Sequence, residues 1–176
     1  MNDAKKILQE LVRDVPDFPK PGIVFKDITP VLGSAEGLKA AVEAMSSPWK
    51  DEKITQIVCM ESRGFIFGTP MAHQLGVGMV PVRKPGKLPC KTRSAEYALE
   101  YGTDTLEIHE DALGPDDRVL IVDAPLATGG TAAATVQLVK GLGAEVIGIS
   151  FLIELTFLDG RSKLTETPRI EAVLQY

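Results

Sequence analysis

Cysteine, histidine and tryptophan are scarce in this chain of 176 residues, which has two, two and one of them. Cys59 and Cys90 lie far apart with no C-x-x-C spacing, so a disulfide framework is excluded and two free thiols in a reducing compartment are expected. His73 and His109 are too few to complete a structural zinc site with them. No apolar run approaches the roughly 20 residues that cross a bilayer, and no secretory leader pattern is seen, so the expectation is a cytoplasmic protein with no membrane contact. Positive charge is also in deficit: 19 Lys and Arg stand against 24 Asp and Glu, a formal net charge of −5. A general nucleic-acid surface is therefore excluded. With 44% hydrophobic and 24% charged residues, the chain has the composition of a globular protein, and one domain over 1–176 is expected.

The most informative stretch is Arg118–Thr135, RVLIVDAPLATGGTAAAT. Val119, Leu120, Ile121 and Val122 form the continuous apolar run of a strand buried on both faces of a parallel sheet, and Asp123 ends it. Leu126, Ala127, Thr128, Gly129, Gly130 and Thr131 then make a small, glycine-rich loop. It opens into a helix whose Val136, Val139 and Leu142 recur at helical spacing. Strand-to-helix turns are common, and most of their glycines serve sterics alone. Here a preceding carboxylate, two hydroxyls and paired glycines coincide, and that combination points to phosphate. Unpaired N–H groups at a helix N-terminus face the anion, and glycines let the main chain approach it. The loop lacks the lysine of a P-loop and the spacing of a dinucleotide fingerprint.

VLIVDAPLATGGT resembles the phosphoribosyl pyrophosphate motif of the type I phosphoribosyltransferases: an apolar strand, two acidic residues and an ATGGT loop. The chain departs from it at Ala124-Pro125, where the family usually carries aspartate and leucine after the first aspartate. The resemblance implies an α/β protein of the type I phosphoribosyltransferase fold, with a mostly parallel sheet flanked by helices, a small hood and a flexible lid loop.

Other segments extend the likeness to the full length and narrow it to the adenine phosphoribosyltransferases. Ala4, Ile7, Leu8, Leu11 and Val12 share one face of a short amphipathic helix ending before Pro16. FPKPGIVFKDITP, residues 18–30, is too proline-rich for a regular helix, yet it carries apolar residues that are costly to expose. It is similar to the hood of the adenine enzymes, mainly residues 14–30 here. The likeness implies that Phe25 stacks on the base while main-chain groups of Val24, Phe25 and Lys26 meet its edge. A strand at Ile54–Met60 leads into Glu61-Ser62-Arg63-Gly64 and a helix over 65–75. Ligands of open α/β sheets gather beyond the carboxyl ends of strands, so this loop and the ATGGT loop face one crevice. Arg63 is a natural bidentate partner for pyrophosphate. The family's similar E-S-R-G-F loop often holds a non-proline cis peptide, which here implies the Glu61-Ser62 bond.

After a strand at Val77–Val82, Arg83, Lys84, Lys87, Lys91 and Arg93 concentrate basic charge among prolines and a glycine. An irregular basic segment beyond a strand of the same sheet suits a mobile lid that neutralises a polyphosphate. The resemblance implies that Lys87 reaches the pyrophosphate of a neighbouring subunit in a homodimer. The lid's far side, Tyr97–Gly102 and then 106–109, alternates like a β-ribbon. Its Y-x-L-E-Y-G likeness implies that Glu100 is the acid or base at the purine. His109 has no partner at motif spacing. Glu154-Leu155-Thr156, Gly160-Arg161, Lys163-Leu164 and the ending V-L-Q-Y match the family too, and 146–153 and 170–174 read as strands.

The implied activity is purine salvage, adenine plus phosphoribosyl pyrophosphate giving AMP and pyrophosphate, with Mg²⁺ held by substrate oxygens and water rather than by a protein ligand set. The implied catalytic group is Glu100, Arg63 and Asp123. The substrate-binding group is Val24, Phe25, Lys26, Glu61, Ser62, Lys87 and residues 124–131. Another purine substrate, or a nucleotide-binding regulatory protein with weakened catalysis, is the alternative that Ala124 leaves open.

Overall fold

In the computed structural model, which describes residues 2–98 and 102–176, the run at Val119–Val122 lies in the middle strand of a five-stranded sheet. In chain order the elements are α1 (Asn2–Leu11), β1 (Arg13–Pro16), β2 (Val24–Asp27), α2 (Thr29–Gly33), α3 (Ala35–Ser46), β3 (Gln56–Met60), α4 (Arg63–Leu75) and β4 (Gly78–Val82). They continue with β5 (Thr92–Ala98), β6 (Thr103–His109), β7 (Arg118–Leu126), α5 (Gly130–Gly141), β8 (Glu145–Glu154) and β9 (Ile170–Gln175). The sheet order is β4-β3-β7-β8-β9, and every pairing is parallel. Helices must therefore cover both faces. On one face Leu8, Met45, Trp49, Phe67 and Met71 pack against Ile57, Leu120 and Val122. On the other, Val136 and Val139 of α5 and Leu106 and Ile108 of β6 pack against Val58, Val119 and Ile121. Each fully buried side chain of this size contributes about 1.5–3 kcal/mol, so these two cores hold the sheet and leave its loops free for chemistry.

β7 runs past its apolar stretch, through Asp123, Ala124 and Pro125 to Leu126. β8 is long enough to stay paired with it as far as Leu126, whereas β3 accompanies it only to Val122. Beyond that point β7 has a strand on one side alone, which is why a proline is tolerated in what is elsewhere a central strand. The proline-rich 18–30 segment is more ordered than its composition suggests. Val24–Asp27 pairs antiparallel with Arg13–Pro16, opposing Arg13 to Asp27 and Pro16 to Val24. The Asp27 carboxylate secures this ribbon: it accepts from the Thr29 N–H at 2.8 Å and from the Arg13 guanidinium. Those bonds, the Thr29 N–H first, lower its pKa to about 2. The second ribbon, β5 with β6, packs on α5 and joins the sheet through Arg83, whose N–H donates to the Glu107 carbonyl at 2.9 Å. No described helix is long and apolar enough to cross a membrane.

Candidate active site

Two chambers adjoin beyond the carboxyl ends of β3 and β7. The polar one, about 210 Å³, is lined by Glu61, Arg63, Lys84, Tyr97, Asp123 and the loop residues Ala127, Thr128, Gly129 and Thr131. The apolar one, about 550 Å³, lies against the β1–β2 ribbon and is lined by Val24, Phe25, Ala124, Pro125, Ile153 and Leu158 among others. Arg63, Pro125, Ala127 and Thr128 line both, so they form the wall where two ligand halves would meet.

Both helices that begin at the polar chamber start without a side-chain cap. Ser62 precedes α4 and Gly129 precedes α5, and neither supplies a side-chain capping bond. Apart from the Phe65 N–H, which donates to the Ser62 carbonyl at 3.2 Å, their first-turn N–H groups face the chamber end of each helix, where the helix dipoles favour negative charge. Gly129 has a φ of 78°, and a Cβ there would collide with the Gly160 carbonyl. That position admits only glycine. Gly130 opens α5 beside the Tyr97 ring. Arg63 is the first helical residue of α4, directly after the Glu61-Ser62 bond, which is cis.

The chamber's two carboxylates are shifted in opposite directions. Burial acts to raise the Glu61 pKa, but hydrogen bonds from Lys87, from the Lys84 N–H at 3.0 Å and from Arg83 Nε at 3.3 Å outweigh it, and the carboxyl sits below its usual range. Asp123 is pushed up to about 7 by burial, against the Ala124 N–H, which donates to Oδ1 at 2.7 Å, and the nearby Arg63 charge. Glu61 is thus a fixed anion that gathers the base of the lid, whereas Asp123 can change charge near neutrality.

Among the residues expected to bind substrate, Glu61, Arg63, Asp123, Leu126, Ala127, Thr128, Gly129 and Thr131 line the polar chamber. Val24, Phe25, Lys26, Ala124 and Pro125 line the apolar one. Phe25 is held edge-on by Phe18, with centroids 5.2 Å apart and planes at 72°. The Lys26 ammonium pairs with Asp14 at 2.7 Å and lies 4.1 Å from the centre of the Tyr176 ring, so it is occupied away from the chamber. Lys87 pairs with Glu61 of its own chain. Glu100 lies outside the described residues. Lys84 and Tyr97, which carry no motif role in the sequence, also line the polar chamber. Lys84 pairs with Asp104, and its Nζ is 3.1 Å from the Tyr97 hydroxyl, a hydrogen bond between residues on β5 and beyond β4 that no local motif encodes. Those bonds outweigh the effect of its burial and raise the Lys84 pKa. Its place in the basic segment was the only available signal.

The phosphoribosyl transferase domain family model matches residues 32–170. The adenine phosphoribosyltransferase of Acaryochloris marina is 54% identical over 169 residues, covering 96% of this chain and 99% of that protein. The crystal structure of adenine phosphoribosyltransferase from Rhodothermus marinus superposes with a TM-score of 0.93 at 55% identity, covering 100% of both chains. That from Saccharomyces cerevisiae, complexed with an imino-altritol bisphosphate and adenine, gives 0.93 at 39% identity, covering 99% of this chain and 100% of that one. The chain belongs to the phosphoribosyltransferase family, in its adenine branch.

Proposed function

We propose that this chain transfers the phosphoribosyl group from phosphoribosyl pyrophosphate to adenine in purine salvage, releasing AMP and pyrophosphate, as a single domain over 1–176 with 14–30 as its hood. The observation that carries the reading is the shared wall at Arg63, Pro125 and Thr128, where an apolar chamber with room for a base meets a polar chamber fitted for phosphate. Phe25 stacks on adenine, with Pro125 on the chamber wall and main-chain groups of Val24 to Lys26 meeting the base edge. Residues 127–131 and the α5 N-terminus hold the 5′-phosphate.

As the bond from the anomeric carbon to pyrophosphate breaks, the sugar gains oxocarbenium character, and the purine nitrogen bonds to that carbon and loses its proton. Arg63, Lys84 and the Ser62 end of α4 take up charge on the departing pyrophosphate. Ionised Asp123 accepts ribose hydroxyls and faces the cationic sugar. Glu61 keeps Lys87 and the lid base at the chamber rim. Glu100 serves the purine proton, an assignment supported by its Y-x-L-E-Y-G setting.

Among the described residues no three His, Cys, Asp or Glu side chains converge to hold a metal. With Glu61 engaged by Arg83, Lys84 and Lys87, the chamber's other carboxylate, Asp123, with threonine hydroxyls nearby fits Mg²⁺ carried mainly by substrate phosphates and water, which would supply charge neutralisation on pyrophosphate. We assign a homodimer in the cytoplasm. A cross-subunit reach by Lys87 requires it to leave Glu61, and sedimentation at micromolar concentration tests the dimer, a fully active monomer refuting it. Parallel assays with adenine, hypoxanthine and guanine test the substrate: turnover is expected with adenine, and equal or greater turnover of either other base refutes the assignment. AMP binding without turnover of any base would instead indicate the weakened regulatory alternative.

A further inference from the structure

Glu154 at the end of β8 is a nearly buried carboxylate, its side chain 5% exposed, and it lines neither chamber. Arg161 grips it with both arms, Nε to Oε1 at 2.5 Å and Nη2 to Oε2 at 2.8 Å, and Gln175 of β9 adds a bond at 2.9 Å. The remaining Arg161 nitrogen, Nη1, donates to the Ile170 carbonyl at 3.1 Å. One guanidinium therefore ties the 156–164 loop to the ends of two strands, a bidentate geometry that fixes orientation as well as distance. Arg161 also holds the Glu154 carboxyl below its usual range.

The neighbouring residue is what matters for the site. Gly160 packs backbone to backbone on the phosphate loop: a Cβ on Gly160 would strike the Ala127 carbonyl, and one on Gly129 would strike the Gly160 carbonyl. With no side chain between them, any displacement of Gly160 transmits directly to Ala127 and Gly129. The same loop is anchored at its start by Leu155, whose N–H donates to the Leu126 carbonyl at 2.9 Å.

We propose that Arg161 and Glu154 are positioning residues that act through Gly160 to hold Ala127–Gly129 in the geometry that receives the 5′-phosphate. The proposal rests on the assignment of residues 127–131 to that phosphate. Its test is calorimetric titration of Arg161→Met and Arg161→Lys with AMP, ribose 5-phosphate and inorganic pyrophosphate, alongside thermal melting. Arg161→Met should weaken AMP and ribose 5-phosphate by about tenfold or more, since small displacements of positioning groups carry effects of that order, and pyrophosphate by less than about twofold. Arg161→Lys should recover part of the loss. Should Arg161→Met not fold, Glu154→Gln carries the same expectation at smaller size, because its amide oxygen keeps one of the two bonds. Equal weakening of all three ligands, or melting affected with affinities unchanged, overturns the proposal. Thr131→Val separates it from the phosphate assignment: loss of ribose 5-phosphate binding with Thr131→Val but not with Arg161→Met refutes the clamp alone, and no loss with either refutes both.

Discussion

The chamber beside the β1–β2 ribbon and the chamber at the ends of β3 and β7 share a wall but work by different physics. The first is apolar, its walls supplied by Val24, Phe25, Ala124, Pro125 and Ile153, so it selects by shape and stacking. The second brings two uncapped helix ends, Arg63 and Lys84 against two carboxylates, so it selects by charge. Charged contacts in a partly dry site respond steeply to the loss of one partner, whereas apolar contacts are lost in proportion to area. The polar chamber should therefore be the more fragile, and the two should fail independently.

The largest effect is expected from Arg63→Ala. Removing a donor aimed at developing charge costs about 10²–10³ in rate, and adenine affinity should change far less. Isothermal titration with each substrate checks this, and an equal loss for both would erase the distinction between the chambers.

Asp123→Asn comes next. Loss of a charge-assisted hydrogen bond costs about 1.5–3 kcal/mol, so kcat/KM for phosphoribosyl pyrophosphate should fall by roughly ten- to a hundredfold. In the unaltered protein kcat/KM should rise with pH through about 7 as this carboxyl ionises. Stability should run the opposite way. The folded pKa lies above the ordinary 3.8, so the folded state binds the proton more tightly. The contribution is complete below about pH 4 and lost as pH rises through about 7. The asparagine variant lacks that slope, and its Tm relative to the parent should climb between about pH 4 and 7 and level off above. A constant difference would show that burial does not govern this group.

Phe25→Ala tests the apolar side. Stacking on an aromatic ring is worth about 1–3 kcal/mol per base, so adenine should weaken by roughly five- to a hundredfold while phosphoribosyl pyrophosphate binding stays within about twofold. Matching losses for both ligands would remove the stacking role.

The smallest expected effect lies at Ala124 of the apolar chamber and Pro125 of the shared wall. Ala124 is 2% exposed and has no polar group to offer a ribose hydroxyl. Restoring a carboxylate and a larger apolar neighbour with Ala124→Asp and Pro125→Leu together should raise kcat/KM by about tenfold. Their proximity means that the pair must be read as one unit rather than as a sum. No change or a fall would mean that the loop has already compensated.

Much of the polar chamber was legible in the chain because its parts are local. Strand, acid, glycine loop and helix occupy consecutive positions, and unpaired N–H groups follow from the helix start itself. Arg63 could be placed for the same reason, since it follows a buried strand directly. Residues that reach the site across the fold were less visible. Lys84 and Tyr97 meet only because the β5–β6 ribbon folds back on the end of β4, and Gly160 reaches Ala127 only because β8 and its following loop lie beside β7.

The sequence by itself therefore determined the parallel α/β arrangement, through short β-branched apolar runs each followed by a loop and a helical pattern, and the phosphate-type chemistry of one loop, through glycines and hydroxyls at a helix start. Only the tertiary structure decided which charges meet. It set Glu61 among three lid donors and left Asp123 half-buried on the chamber wall with a pKa near 7. The reason is that ionisation and cavity shape depend on distances between segments, and residue order fixes those distances only after the sheet has paired.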